Sequence, residues 1–453
     1  MPELEERESA PLLLSGEKAS GKPGLTKVIS LVATAGGSSA QGEGQPTVWD
    51  TPTAVKLSPW GVTACMLLAD MFGVGSLSLP SVFARLGWLF RFILMAVFSL
   101  GCGYLGVLFS KLGVAVPSAQ AFDEIGAAAL GKTGTRLVYS LVYTTIFIDP
   151  VVLQLTCVLA LQRIITSLSS VVAGIIVVVI MIPLAQIQNI HDAGSLSVVA
   201  TVAMITAAGI ALIKLLAMPG SKLSETTLLL PPGTGHVTVL TAIMNLVFAF
   251  GGQVNWMRYE SAMKSRFDFK YAVEVADFCM TLCYILIASI GYWKLGRDFD
   301  FTKPVTSVLP QDTWAVLMNV ALLIRCLVAY LLNLNIWTDM VIRVGRPWLG
   351  WVEERFSHGQ KAMWACVSLM GLAFSFVVAW ALPFFSTILA LIGAIGDVAA
   401  PYTLPAIFAL ALLKDAPRWE KWMLRAIVPV SALLALAGVY AAIAEMVSLS
   451  EQE

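Results

Sequence analysis

Apolar residues run along this chain in eleven blocks of about twenty or more, long enough to cross the hydrocarbon of a bilayer as helices. The blocks cover approximately residues 58–86, 88–116, 135–163, 168–187, 192–217, 237–258, 271–295, 312–340, 362–382, 384–413 and 422–446. Short polar stretches part them. Ahead of the first block, residues 1–57 are rich in Gly, Ser, Ala, Glu and Lys and lack periodicity, so a disordered tail is expected there. The pattern predicts an all-α polytopic membrane protein. Its transmembrane domain covers 58–446, with blocks one to five at about 58–217, six to ten at about 237–413 and an eleventh at about 422–446. A short tail, 447–453, follows.

Two blocks are interrupted. The first carries Gly73-Val74-Gly75-Ser76-Leu77-Ser78-Leu79-Pro80 and the sixth carries Phe248-Ala249-Phe250-Gly251-Gly252-Gln253. Glycine lacks a Cβ and proline lacks a backbone donor, so both helices are expected to unwind at mid-depth. Backbone groups freed inside a bilayer must find partners, and matching breaks in two halves point to a transporter's binding site. The breaks lie five blocks apart. Five is odd, so the second set of five runs through the membrane inverted. Inverted halves broken at helices one and six form the LeuT-type plan, here with one helix added.

Composition agrees with a membrane protein. Of 453 residues 58% are hydrophobic and 13% charged, with zero formal net charge. A soluble domain of this size carries more charge, and no basic excess suggests nucleic acid. The first apolar block begins near Ser58 behind a polar tail, so no cleavable signal peptide is expected. None of the seven cysteines forms a CxxC pair; no disulfide framework, metal site or cofactor is implied. No HExxH, GxSxG or P-loop is present, and Ile395-Gly396-Asp397 lacks the neighbours of an intramembrane aspartyl protease, so no enzymatic activity is expected. A cytosolic N-terminus places twenty of the 29 Lys and Arg on the cytosolic side and eight on the other, with Arg325 inside a block. That distribution obeys the positive-inside rule.

Several motifs occur in the order seen in the amino acid/auxin permease family. Residues 68–80 (LADMFGVGSLSLP) with Phe83-Ala-Arg-Leu-Gly-Trp88 resemble its first span. Residues 122–132 (FDEIGAAALGK) resemble its first cytosolic loop, and Phe250-Gly-Gly-Gln with Glu260-Ser-Ala-Met-Lys264 its sixth span and exit. Gly291-Tyr-Trp-Lys-Leu-Gly296 resembles the end of the seventh, and Leu391-Ile-Gly-Ala394 with Leu404-Pro405 the tenth. The resemblance covers nearly everything after residue 57. It departs at Asp70, where the family often places Asn or Glu, and at Asp397, where it lacks an acid.

The resemblance implies that a substrate α-carboxylate rests on backbone at Gly73, Val74, Gly75, Ser76 and Leu77. The restarting half-helix supports this with partial positive charge and free N–H groups. Carbonyls at Phe248, Phe250, Gly251 and Gly252 would face the α-ammonium. A bland alternative is that these glycines only allow close helix packing. Acids inside the membrane are candidate proton carriers: Asp70, Asp149 and Asp397. Arg325 could instead hold Asp149 or Asp397 in a structural ion pair. Sodium is less favoured, because the eighth block offers no Ser/Thr pair, although Asn333 and Asn335 carry oxygens. His191 reads as a loop hydrogen-bonding residue.

In the tail, Glu8 stands four residues before Leu12-Leu13, an acidic dileucine pattern read by clathrin adaptors. It favours a vacuolar or endolysosomal membrane over the plasma membrane. The expected function is secondary active transport of small neutral amino acids with protons, by alternating access. Two alternatives keep the fold: a transceptor that senses amino acids, and a permease for another small carboxylate such as auxin.

Overall fold

The computed structural model describes residues 59–187, 193–220, 222–296, 303–355 and 359–451, and they are mostly helical, with no strand among them. Helix α1 (Trp60–Met71) and helix α2 (Leu79–Leu86) are joined by a short 3-10 segment, Val74–Ser78. Then come α3 (Trp88–Ala115), α4 (Phe122–Leu130), α5 (Lys132–Ile164), α6 (Ser170–Ala185) and α7 (Ala193–Ala217). The second half starts with α8 (His236–Ala249) and α9 (Trp256–Ser261), followed by α10 (Phe269–Leu295), α11 (Thr313–Arg355) and α12 (Gly359–Ala381). Helices α13 (Phe385–Ile392) and α14 (Leu404–Leu412) flank two π-helical turns, Gly393–Asp397 and Ala399–Thr403, before α15 (Arg418–Ser450).

Among the described residues nine helical stretches are long and apolar enough to cross a membrane. The α8–α9 and α13–α14 units each count as one of them. Two further blocks read from sequence fall short by different routes. Helix α6 has sixteen residues, and the first block is divided into α1 and α2. Other boundaries moved for a simple reason: charge ends an apolar run without ending a helix. Thus α11 continues to Arg355, past the apolar limit near 340, and residues 122–130 form a helix where sequence showed a loop motif.

The helices of the two halves pack across one another. Helix α11 lies along α5, α7 and α12; α10 lies against α1, α2 and α3; α15 covers α8, α13 and α14. The Phe385–Leu412 unit and α5 are the most buried of the long stretches, and α15 the least. Outward-facing Leu100, Leu433 and Leu436 are 67–76% exposed. Water would penalise such a belt of bare apolar side chains, whereas lipid accepts it. Ionic ties fasten the edges: Arg85 Nη1 lies 2.8 Å from Glu445 Oε1 and joins α2 to α15. Arg91, in the first turn of α3, is fully buried. Its guanidinium sits 3.8–4.4 Å from the ring centres of Phe83, Trp88 and Tyr292 and donates to the Phe83 carbonyl at 2.9 Å.

Candidate functional site

Both interruptions are real departures from the α-helix. After Met71 the chain turns at Phe72 and extends at Gly73 (φ −121°, ψ −164°), then tightens into the buried 3-10 segment. Serine hydroxyls take over the loosened carbonyls. Ser76 donates to Gly73 O at 2.9 Å, Ser78 to Gly75 O at 2.8 Å and Ser81 to Ser78 O at 2.6 Å. In the sixth unit α8 stops at Ala249, and Gly252 adopts φ +106°, a left-handed conformation that a side chain would strain. Gln253 then folds back and donates to Phe250 O at 2.6 Å.

The two breaks face each other at close range. A Cβ on Gly75 would lie 2.9 Å from Ala249 Cα and 3.0 Å from Phe248 Cδ1, so only glycine fits. Met71 Cγ stands 3.3 Å from the Cβ position of Gly252. Behind them the buried Tyr284 hydroxyl, on α10, lies 2.6 Å from Ala249 O and 3.2 Å from Met71 O. One phenol thus serves the last carbonyls of both half-helices. This is the kind of partner that a freed carbonyl needs inside a membrane.

The ionisable residues separate into two groups. Asp70 accepts from Asn255 Nδ2 at 3.1 Å, has Tyr259 within hydrogen-bonding reach, and feels the charges of Arg325 and Arg258. A carboxylate so placed ties the end of α1 to the restart of the sixth unit. Arg325 approaches the same break: its Nη2 lies 3.8 Å from the Cβ position of Gly73, and its Nε is buried with no partner. The second group lies across the site. Asp149 and Asp397 are near enough for one charge to act on the other. Asp397 Oδ1 would be 2.7 Å from a Cβ on Gly251, and Asp149 Oδ1 is buried with no partner. Pro150 adds to this, because its missing N–H removes the helical donor for the Ile146 carbonyl. Asp397 reaches its place on a π-helical turn that wraps Thr145 of α5, and π-turns recur at functional positions.

Each residue singled out in the sequence can now be located. Val74, Ser76 and Leu77 are buried in the 3-10 segment with Gly75. Phe248 touches Gly75, whereas Phe250 turns away to pack on Phe98 and Tyr284. The expected pairing of Arg325 with Asp149 or Asp397 does not occur: among the described residues Arg325 makes an ion pair with neither, because its side chain leaves α11 toward Gly73 and Asp70. Asn335 is engaged elsewhere, donating to Ile187 O at 3.0 Å. Glu8, Leu12, Leu13 and His191 lie outside the described residues. No group of three His, Cys, Asp or Glu suited to a metal occurs among the described residues.

Sequence reasoning missed Tyr284, Asn255, Tyr259 and Asp277. An acid inside the seventh apolar block was a readable signal for Asp277. Nothing in the sequence marked the other three, whose roles come from packing between distant helices. Asn255, which donates to Asp70, also lines a small crevice with Asp123, Tyr143, Val254, Arg258 and Ile336.

The arrangement matches known transporters in both sequence and fold. The amino acid transporter AVT3C of Arabidopsis thaliana is 27% identical over 205 residues, 45% of this chain and 43% of that protein. AVT3B of the same plant, also an amino acid transporter, is 24% identical over 426 residues, 88% of this chain and 97% of that protein. Among solved structures, MhsT in complex with L-phenylalanine superposes with a TM-score of 0.56 at 11% identity, covering 85% of this chain and 98% of that one. That likeness is one of fold, the LeuT-type plan. A family model described as transmembrane amino acid transporter protein matches residues 56–444. The chain belongs to this family of transporters, which are not enzymes.

Proposed function

We propose that this protein is a secondary active transporter that moves small neutral amino acids with protons by alternating access. The observation that carries the reading is the apposition of the two breaks, with Gly75 against Ala249 and Tyr284 bonded to both. Backbone at Gly73, Val74, Gly75, Ser76 and Leu77 takes the substrate carboxylate, with help from the positive end of α2. Carbonyls at Phe248, Phe250, Gly251 and Gly252 take the ammonium. The tight fit between the breaks favours a small substrate, and Phe248, in contact with Gly75, bounds it.

The candidates for the coupling proton in this reading are Asp70, Asp149 and Asp397. Protons are favoured over sodium because Arg325 brings a permanent positive charge to the first break, where a sodium ion would need oxygens. The chain crosses the membrane eleven times over 58–446, with the tail 1–57 in the cytosol and 447–453 on the far side. The rocking element is the α1–α2 and α8–α9 pair, and α5, α6, α11 and α12 form the scaffold. Glu8, Leu12 and Leu13 supply an adaptor-read address for a vacuolar or endolysosomal membrane. The test is uptake of radiolabelled amino acids by proteoliposomes, in the absence of sodium, with and without an imposed proton gradient. Gradient-stimulated uptake of small neutral amino acids is expected; uptake indifferent to the gradient would remove proton coupling.

A further inference from the structure

Three buried acids lie outside the site described above; Glu420 pairs with Lys111 and Glu260 with Arg266, and the third pairs with no cation among the described residues. That third acid, Asp277 on α10, is 6% exposed. Ser99 Oγ of α3 donates to its Oδ2 at 2.6 Å, while Oδ1 is buried with no partner. Two more buried oxygens in the neighbourhood lack partners: Thr281 Oγ1, one turn along α10, and Gln253 Oε1 at the second break. Cys102 of α3 stands between Asp277 and Gln253 and is close to both.

Among the described residues no cation compensates this carboxyl. Ser99 and Cys102 act on it from α3 and Thr281 from its own helix, and Tyr284 and Tyr402 face the same cluster. The other ionisable residues on helices packed against α10 are committed elsewhere. Asp70 goes to Asn255, Arg85 to Glu445, Arg91 to Phe83 O, Lys111 to Glu420 and Lys214 to Asp312. Arg266, beside the start of α10, goes to backbone carbonyls of the 113–119 stretch and to the buried Glu260. Glu274, one turn before Asp277, is exposed.

A buried carboxylate served only by the neutral donors Ser99, Cys102 and Thr281, with no counter-charge, is costly, and so is each unpaired buried oxygen. A single proton relieves both: it cancels the charge and creates a donor for an orphaned acceptor. We propose that Asp277 is a further proton-binding site, whose neutral acid donates to Thr281 Oγ1, with Cys102 linking it to Gln253 at the second break. The step is the gain of one proton from water at Oδ1. Its consequence reaches the second break, because Gln253 directly follows the left-handed Gly252 and its amide holds Phe250 O at 2.6 Å. Proton gain and loss at Asp277 therefore bias the conformation of the break that faces the substrate. The inference rests on the proton-coupled reading only for its place in transport; the protonation itself is measurable without it.

The experiment is infrared difference spectroscopy of the purified full-length protein across a pH series, in sodium-free buffer. A carboxylic-acid carbonyl band that titrates in the wild type and is missing in Asp277→Asn is expected. An unchanged band in that variant overturns the proposal. Ser99→Ala is the second variant. Loss of a hydroxyl donor to the carboxylate should move the band's midpoint to higher pH by about one unit. A midpoint that stays in place overturns the assignment. Uptake in proteoliposomes separates the two readings. Wild-type flux without gradient stimulation sinks proton coupling alone, whereas gradient stimulation retained in full by Asp277→Asn sinks the role of Asp277 alone.

Discussion

The hydroxyl of Tyr284 lies 2.6 Å from the carbonyl oxygen of Ala249, the residue at which the sixth unit's first half-helix ends. The same hydroxyl reaches Met71 O at 3.2 Å, so its one proton is shared between both breaks. Tyr284→Phe keeps the ring, which packs on Phe72 and Phe250, and removes only this link. Two buried carbonyls then lose a donor, at a cost of about 1–3 kcal/mol. The variant is expected to fold, to unfold at a lower temperature in a thermal-shift assay and to transport about tenfold more slowly or worse. Wild-type flux with an unchanged melting temperature would show that the breaks do not depend on the phenol.

The two glycines of the first break should differ sharply in tolerance. A Cβ on Gly75 would meet Ala249 Cα at 2.9 Å, and backbone cannot step aside as a flexible side chain can. Gly73 has its nearest neighbour, Arg325 Nη2, at 3.8 Å, and its φ of −121° suits any residue. Overpacking a site of this kind costs about 1–3 kcal/mol, enough for a tenfold loss or more. Gly75→Ala should therefore reduce uptake at least tenfold at normal expression, and Gly75→Val should abolish it. Gly73→Ala should retain most of it. Equal sensitivity at the two positions, read from initial uptake rates, would mean that packing between the breaks does not govern function.

The contrast shows where sequence reading succeeds. Gly75, Gly252 and Pro80 announce a break because backbone chemistry is local, and the apolar blocks announce helices because bilayer thickness sets their length. The plan of two inverted halves followed from counting blocks between breaks. Partners were not legible, since Tyr284 lies 35 residues from Ala249 and 213 from Met71. Arg325 illustrates the limit well. Its place inside the eighth block was legible, but which face of α11 it leaves by, toward Gly73 and not toward Asp149, depends on packing that no single sequence displays. The π-turns around Asp397 were equally hidden, because a widened helix has the composition of an ordinary one.

A pH effect on stability is expected at the rim, outside the membrane. Lys214 Nζ lies 2.5 Å from Asp312 Oδ2, and the N–H of Ala315 reaches Oδ1 at 2.7 Å. Lys214 first, and the backbone donors after it, hold the Asp312 carboxyl below the ordinary aspartate range. A carboxyl held lower in the folded protein contributes stability that is complete above the unfolded value of about 3.9 and is lost as pH falls through the folded value. The melting temperature should thus drop more steeply below about pH 4 in the wild type than in Asp312→Asn. Parallel curves for the two proteins would show that the pair contributes nothing.

Asp70 and the Asp149–Asp397 pair make opposite claims on the coupling proton, and one comparison separates them. Asp70 is surrounded by donors and cations: Asn255 at 3.1 Å, Tyr259 within reach, and the charges of Arg325 and Arg258. Asp149 and Asp397 have each other, and among the described residues neither makes an ion pair. Two buried carboxyls within range of each other's charge, without a cation, favour one of them holding a proton. The pair is therefore better built to bind and release one, and Asp70 to stay ionised as the tie between the breaks. Asp149→Asn and Asp397→Asn should each flatten the pH dependence of uptake while leaving the melting temperature near the wild-type value. Asp70→Asn should lower uptake at every pH and keep the shape of the profile, because what it loses is the bond to Asn255. If the profile flattens only in Asp70→Asn, the proton sits at the first break, and the pair across the site is structural.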